Sequence, residues 1–274
     1  MLNRASKPFV KLVERYLPDP YIFVLLLTLI TFAFAVVIQN QSPLTTIQQW
    51  GDGFWGLLTF SMQMLLVLVT GFMLACTPLV KALLERLASL AKSPGSAIVL
   101  VTLVSLIASW INWGFGLVVG ALFAKALARK VSVDYRLLVA SAYSGFIVWH
   151  GGLAGSVPLT IATPGHFSEA QIGVVGTGET IFSGFNLLLL AIMFVIIPLV
   201  NRLMLPPESE SIIVDSAKLK DDTLPSATNE RPADKLENSK VLGLLVGFAG
   251  LAYLTNYFVS GGGLNLNIVN TLFL

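Results

Sequence analysis

The sequence predicts an all-α membrane protein that crosses the bilayer several times. Of its 274 residues, 55% are apolar and 12% are charged, and the mean hydropathy is +0.80. A soluble domain has about 25% charged residues, so this composition indicates that lipid surrounds much of the chain. The apolar residues also form long runs, and a helix needs about 20 such residues to cross ~30 Å of hydrocarbon.

The first element is predicted to be an amphipathic helix lying on the membrane surface. It precedes Pro18, and its apolar and basic side chains recur at helical spacing. The apolar side chains lie opposite the basic ones, with Phe9, Leu12, Val13, Tyr16 and Leu17 on one side and Lys7, Lys11 and Arg15 on the other.

Six apolar runs follow the amphipathic helix and predict the membrane segments. In chain order they are Tyr21 to Gln39, Phe54 to Val80, Ala97 to Ala126, Leu137 to Thr160, Ile181 to Val200 and Val241 to Phe258. The third run is interrupted at Ser109 to Gly114, and the fourth near His150. Residues 205–239 are rich in Pro, Ser, Glu, Asp and Lys, which predicts a solvated and disordered loop.

The positive residues are divided unevenly among the polar segments. None lies at 40–53, 161–179 or 259–274, and all seventeen Lys and Arg fall at 1–17, 81–92, 125–136, 202 and 218–240. Lys and Arg accumulate on the cytoplasmic side of a membrane. We therefore expect a multi-pass protein of the bacterial inner membrane with a cytoplasmic N-terminus.

The charge distribution requires the segment 97–126 to enter and leave the membrane from the same side. Each of its apolar arms has about 14 residues, or roughly 21 Å of helix, which is too short to span. We therefore predict a re-entrant helical hairpin with its tip near Asn112. The alternative, one long crossing helix, would place Lys125, Arg129, Lys130 and Arg136 outside.

The two interruptions supply the candidate substrate-binding residues. Non-helical backbone at membrane depth is tolerated only when it is buried in protein or lines an aqueous cavity, and transporters use such breaks to present helix ends to ions. The candidates at the tip are Ser109, Trp110, Asn112, Trp113 and Gly114, and those at the second break are Ser144, Trp149, His150, Gly151 and Gly152, with Ser141, Tyr143 and Ser156 as further polar groups. Polar ligands between apolar walls suit a small carboxylate with a short apolar tail.

Each candidate also has a purely structural interpretation. Ser, Gly and Trp are common packing residues and interfacial anchors in membrane helices, so the tip could be a packing hinge. An ionisable residue inside an apolar run is a candidate for a proton or substrate role, and His150 is such a residue. A neutral imidazole bonded to a nearby carbonyl is the alternative. No Lys or Arg lies at this depth, so backbone dipoles, hydroxyls, the Asn112 amide or a co-bound Na⁺ or H⁺ would balance an anion.

Other classes of protein fit the sequence less well. A net charge of +2 does not suggest nucleic acid as a partner. With two histidines, one cysteine and no deep carboxylate, the chain cannot assemble a usual metal centre. We therefore predict no catalytic residue, no metal ligand and no cofactor beyond a coupling ion. A channel remains an alternative, although no repeated filter sequence is present.

The stretch SWINWGFGLVVGALFAKALARK from Ser109 to Lys130, with the following DYRLLVASAYSGFIVWHGGLAGSVPL, resembles the AtoE-type short-chain fatty acid transporters. The end of the N-terminal helix, from Tyr16 to Pro20, is similar too. The resemblance covers essentially the whole chain. It implies an ion-transporter-superfamily fold of two inverted repeats, each with a re-entrant hairpin and a broken helix. It also implies uptake of short-chain fatty acids such as acetoacetate or butyrate. We expect cation symport, and C4-dicarboxylates or other small organic anions are the alternative substrates.

The chain is shorter than the proteins it resembles. We predict that residues 1–204 form the first repeat, that 205–239 form a cytoplasmic hydrophilic loop, and that 240–274 begin a second repeat that is truncated. The expected partners are the lipid bilayer and a small carboxylate substrate. A homo-oligomer is compatible with the sequence.

Overall fold

The computed structural model describes residues 2–219 and 239–273, and it shows helices and turns with no strand in either range. Six of the described helical segments are long and apolar enough to cross a membrane: Pro20–Val37, Leu58–Ala75, Pro94–Ile111, Tyr135–Ile161, Gly184–Leu203 and Lys240–Val259. The prediction of an all-α polytopic membrane protein is confirmed.

The chain divides into two compact units, and the first is Met1–Met64. It contains α1 (Leu2–Tyr16), α2 (Pro20–Val37), α3 (Pro43–Phe54) and the start of α4 (Leu58–Ala75). A side-chain oxygen caps α2 and α3, and each begins with proline, whose fixed φ suits the first helical turn. Helix α3 lies largely in the segment 40–53, which the sequence predicted to be a polar connection between membrane helices.

The second unit is Leu65–Leu274, and it contains the interrupted segments. Its further helices are α5 (Pro78–Ala88), α6 (Pro94–Ile111), α7 (Trp113–Lys130), α8 (Tyr135–Ser144), α9 (Ser156–Ile161), α10 (Glu169–Ile172), α11 (Gly184–Leu203), α12 (Lys240–Val259) and α13 (Leu266–Phe273). Its core lies around α6, α7 and α8, where Ile98, Phe123, Leu127 and Leu138 are fully buried.

Helices α6 and α7 form an antiparallel hairpin that turns at Asn112. A Cβ added to Gly116 would lie 2.5 Å from the Cα of Ser109, and one added to Gly120 would lie 3.0 Å from Ser105 Oγ. These pairs step outward symmetrically from the turn. At Gly116 the two backbones touch, so a side chain would not fit there. The structure therefore contains the predicted helical hairpin.

Each arm of this hairpin is longer than the predicted length of about 14 residues. Each has 18 residues, which is about 27 Å of helix. Both helices continue past the apolar run, α6 from Pro94 and α7 as far as Lys130. The predicted length of about 14 residues is therefore wrong for both arms. Of the two, α6 is long and apolar enough to cross a membrane, whereas α7 gains its extra length through Lys125, Arg129 and Lys130. The re-entrant path stays a prediction that rests on the charge distribution.

The loop after α11 is described as far as Leu219, and it is attached to the second unit. Asp134, 2% exposed, accepts hydrogen bonds from the backbone N–H groups of Leu137 and Ile212, both at 2.9 Å. Tyr135 N–H donates to the Ile212 carbonyl at 2.9 Å, and Arg129 donates to the Leu219 carbonyl at 2.9 Å. The predicted disorder therefore does not extend to 205–219, because a buried carboxylate binds this backbone. Positions 220–238 of the predicted loop lie outside the described residues.

Candidate functional site

The fourth apolar run is broken where the sequence predicted. Helix α8 ends at Ser144, a 3₁₀ helix follows over Gly145–Gly151, and α9 begins at Ser156. The Gly152 N–H donates to the Trp149 carbonyl at 3.0 Å, and the Gly155 N–H donates to the Gly152 carbonyl at 3.0 Å. The broken segment is thus a tight turn inside an apolar run.

The hairpin tip and the break contact each other directly. The Leu153 N–H donates to the Trp110 carbonyl at 2.7 Å, which satisfies one of the carbonyls left free at the end of α6. A Cβ added to Gly152 would lie 2.9 Å from the Cα of Trp110. The structure therefore brings together the two predicted groups of residues.

Asn112 joins the two arms of the hairpin and is completely buried. Its N–H donates to the Ala108 carbonyl at 2.9 Å, and its Oδ1 accepts from the Phe115 N–H at 2.9 Å and so caps α7. Because the oxygen makes the cap, the amide nitrogen Nδ2 points elsewhere. It has no hydrogen-bond partner among the described residues.

Besides Asn112 Nδ2, four further buried polar atoms at the tip and the break lack a hydrogen-bond partner in the described structure. Within 2–219 and 239–273, the unpartnered atoms at the tip and the break are Ser109 Oγ, Asn112 Nδ2, Trp113 Nε1, Ser141 Oγ and Trp149 Nε1. Three of them are obligate donors, and the two hydroxyls can also donate. An unpaired buried polar group costs about 1–3 kcal/mol, so this concentration of donors makes the tip and the break the candidate site for an acceptor.

The indole rings of the tip and the break form one aromatic cluster. The centroids of Trp113 and Trp149 lie 5.8 Å apart, and Phe146 lies 4.7 Å from Trp149 and 6.3 Å from Trp113. Tyr143 extends the cluster at 6.0 Å from Phe146. The polar donors of the two tryptophans therefore sit at the border of an apolar wall.

His150 lies on the exposed side of the break. Its ring stacks on Trp149 with a centroid distance of 4.0 Å. The Gly151 carbonyl accepts from Asn186 Nδ2 at 3.1 Å, and the Gly152 carbonyl accepts from the backbone of Gly155. These two carbonyls therefore accept from groups other than the imidazole. His150 is also not buried beside the unpartnered donors.

Two predicted site residues serve the packing of the protein. A Cβ added to Gly114 would lie 2.7 Å from the Cα of Leu68, so Gly114 allows α4 to touch α7. The Ser144 hydroxyl donates to the Ser141 carbonyl at 2.8 Å and accepts from Asn201 Nδ2 at 2.8 Å. Both residues support the site, and neither presents an unpartnered donor.

Two asparagines of α11 contact the candidate site but were not among the predicted residues. Asn186 donates to the Ile181 carbonyl at 2.7 Å as well as to Gly151, and Asn201 donates to Thr102 Oγ1 at 3.0 Å as well as to Ser144. An amide in an otherwise apolar membrane helix marks a contact between helices. This signal was present in the sequence, but periodicity does not identify the neighbour.

A separate apolar cavity of about 630 Å³ lies within the first unit, between α2 and α3. The hydroxyls of Thr28 and Thr31, which line it, donate at 2.8 Å to carbonyls of their own helix. None of the predicted site residues lines this cavity. In the described part of the chain, no group of three His, Cys, Asp or Glu residues could hold a metal ion.

Comparison with known proteins gives a family match over the whole chain. The short chain fatty acid transporter family matches residues 1–274. A relative from Escherichia coli strain K12, named "Putative short-chain fatty acid transporter", is 44% identical over 281 residues, which cover all of this chain and 63% of the relative. A relative of the same name from Haemophilus influenzae is 40% identical over 286 residues, which cover all of this chain and 64% of the relative. The chain therefore spans less than two-thirds of either relative, and no solved structure matches it significantly.

Proposed function

Because this chain belongs to the short-chain fatty acid transporter family, we propose that it moves acetoacetate- and butyrate-type acids across the bacterial inner membrane. The buried donors at the hairpin tip and the break carry this proposal. The resemblance noted from the stretch after Ser109 is confirmed by the family match. The family and its relatives are transporters rather than enzymes, and six apolar helical segments make the chain a multi-pass membrane protein.

The unpartnered donors suit the headgroup of a carboxylate substrate. An ionised carboxylate is an acceptor only, with about four lone-pair sites on its two oxygens. The Asn112 amide, the Ser109 hydroxyl and the indole N–H groups of Trp113 and Trp149 would donate to those oxygens. No protein acceptor in the described structure competes for these donors, which supports an anion as the ligand.

The aromatic cluster suits the apolar tail of the substrate. Each methylene that is transferred from water to such a wall contributes about 0.8 kcal/mol. Butyrate would therefore bind more tightly than acetate. A second carboxylate would meet Phe146 and the indole rings of Trp113 and Trp149, so this arrangement favours monocarboxylates over C4-dicarboxylates.

A monovalent cation completes the proposed mechanism. Burying an unbalanced carboxylate is costly, and none of the proposed donor residues carries a positive charge. Symport with Na⁺ or H⁺ would move the anion in a neutral pair. We further propose that the hairpin is re-entrant and that the N-terminus is cytoplasmic, which the distribution of Lys and Arg supports.

Uptake into proteoliposomes tests this function. The protein and the Escherichia coli relative would be reconstituted in parallel and supplied with labelled butyrate, acetoacetate or succinate under a Na⁺ or a pH gradient. We expect both monocarboxylates to accumulate and unlabelled succinate not to compete. Preferential uptake of succinate would establish the dicarboxylate alternative. No uptake of any of these acids by this chain, in an assay where the relative is active, would overturn the proposal.

A further inference from the structure

Helix α1 has an amphipathic surface that the proposed transport site does not use. Four apolar side chains along one side of this helix are about half exposed or more, namely Phe9 at 69%, Leu12 at 57%, Val13 at 47% and Tyr16 at 68%. At about 100° per residue, these four share one side of the helix. An apolar surface of this kind marks an interaction site.

The opposite side of α1 is basic. Lys7, Lys11 and Arg15 follow one another at intervals of four residues, so they lie in one row along the helix. Residues 1–17 contain four basic residues and one acidic residue, Glu14. The partner must therefore offer an apolar layer and negative charge together, which is the chemistry of an anionic bilayer surface.

The connection to α2 sets the depth of α1. Helix α1 ends at Tyr16, and α2 begins at Pro20. Pro18 prevents a continuous helix, and Asp19 caps α2 by accepting from the Tyr21 N–H at 2.9 Å. Since α2 has 18 residues, about 27 Å, it fills most of the ~30 Å of hydrocarbon. The end of α1 therefore lies at the level of the lipid headgroups.

We propose that α1 binds in the plane of an anionic membrane surface. Its apolar side lies against the first methylenes of the acyl chains, and Lys7, Lys11 and Arg15 extend to lipid phosphates. The Arg15 guanidinium lies 5.5 Å from the centroid of the Tyr16 ring, and tyrosine and arginine are common anchors at this boundary. Each basic residue strengthens association with an anionic surface by about five-fold.

Quenching of a single fluorophore on α1 tests this proposal in the intact chain. Bimane would be attached at Phe9→Cys in a Cys76→Ala background, in nanodiscs of neutral phosphatidylcholine or of phosphatidylcholine with anionic phosphatidylglycerol. Acrylamide is uncharged, so surface potential does not alter its local concentration. We expect quenching to be several-fold weaker in the anionic nanodiscs than in the neutral ones.

Three sets of substitutions separate lipid charge from folding. Changing Lys7, Lys11 and Arg15 to Gln should abolish the difference between the two lipids. Lys7→Arg with Lys11→Arg keeps the charge and should preserve the difference. Changing Lys81, Arg86 and Lys92 to Gln removes the same number of charges elsewhere in the chain and should also preserve the difference between the two lipids.

Two results would overturn the proposal. Equal shielding in both lipids would show that apolar contact alone, with lipid or with a second copy of the helix, covers this surface. Strong quenching in both lipids would show that α1 stands in water. Neither result depends on substrate transport, so the proposed function is tested separately.

Discussion

At the scale of single residues, Ser109 and Ser105 are a matched pair one helical turn apart on α6. Ser109 is 1% exposed and its hydroxyl has no partner in the described structure. Ser105 is equally buried, but its hydroxyl donates to the Ala142 carbonyl. Substituting each serine in turn therefore separates an effect on substrate binding from an effect on the stability of the fold.

We predict that Ser109→Ala lowers uptake of butyrate without destabilising the protein. The substitution removes no hydrogen bond of the folded chain, whereas a bond to a charged group contributes about 1.5–3 kcal/mol, or ten-fold or more in affinity. Uptake at limiting substrate and thermal unfolding in detergent measure the two effects.

Ser105→Ala is the control, and it should lower the unfolding temperature while uptake per folded protein changes little. Normal uptake by Ser109→Ala would mean that the tip is a packing hinge and that the substrate binds elsewhere. Normal uptake by Asn112→Ala would exclude the tip as the binding site altogether, because that variant loses the cap of α7 as well as the amide donor.

His150 gives a prediction about the coupling ion. Glutamine at this position keeps hydrogen-bonding capacity but cannot titrate near neutral pH. Because the ring is exposed and stacked on Trp149, we expect His150→Gln to retain uptake driven by a gradient, with Na⁺ as the coupling ion. Loss of pH-driven accumulation, with counterflow exchange intact, would instead identify His150 as the proton carrier.

At the scale of elements, Asp134 links the start of α8 to the segment after α11. Burial opposes ionisation, but the hydrogen bonds from Arg136 and from the backbone of Ile212 and Leu137 outweigh it and lower the pKa of Asp134. The stabilisation is therefore fully present above the pKa of the unfolded chain, about 3.9. It is lost as the pH falls through the lower pKa of the folded state.

We predict that Asp134→Asn lowers the unfolding temperature at pH 7 and that the difference from the parent chain disappears in acid. Asparagine can still cap the helix, but its amide nitrogen cannot accept from the Ile212 N–H or from Arg136. The effect therefore reports the lost charge and these two bonds rather than the lost cap. Thermal unfolding between pH 7 and pH 3 measures it. A difference that stays constant down to pH 3 would show that the carboxylate charge contributes nothing.

The positions of some elements follow from the hydropathy of the sequence, whereas the bounds of others do not. The apolar run from Tyr21 predicted α2 closely, and Asn112 inside an apolar run predicted the turn of the hairpin. The arm lengths were wrong because α7 continues as a helix through Arg129 and Lys130 beyond the apolar residues. Helix α3 was missed because its polar composition conceals it.

The candidate site was predictable only as two separate stretches of sequence. Hydropathy located the tip and the break, but the bond from Leu153 to Trp110 joins residues that no periodicity relates. The same holds for the bonds from Asn186 to Gly151 and from Asn201 to Ser144, which join residues 35 and 57 positions apart. Which polar atoms remain unpartnered depends on the whole packing arrangement.

At the scale of the whole molecule, the hairpin gives a prediction about topology. Lys92 precedes α6 and Lys130 ends α7, so the antiparallel arms place both at the same end. In a Cys76-free background, we expect cysteines at these two positions to react with an impermeant maleimide only from the cytoplasmic side. Reaction of either cysteine from outside intact cells would contradict the proposed orientation.

Helix α11 holds the broken segment at both of its ends. Asn186 reaches Gly151, where the 3₁₀ helix stops, and Asn201 reaches Ser144, where it starts. The two asparagines are fifteen positions apart, or about 22 Å along the helix. Two attachments restrict rotation of the break against α11 more than a single one would. Under the proposed transport function, we therefore expect α8, the break and α11 to move together when the site opens to one side and then to the other.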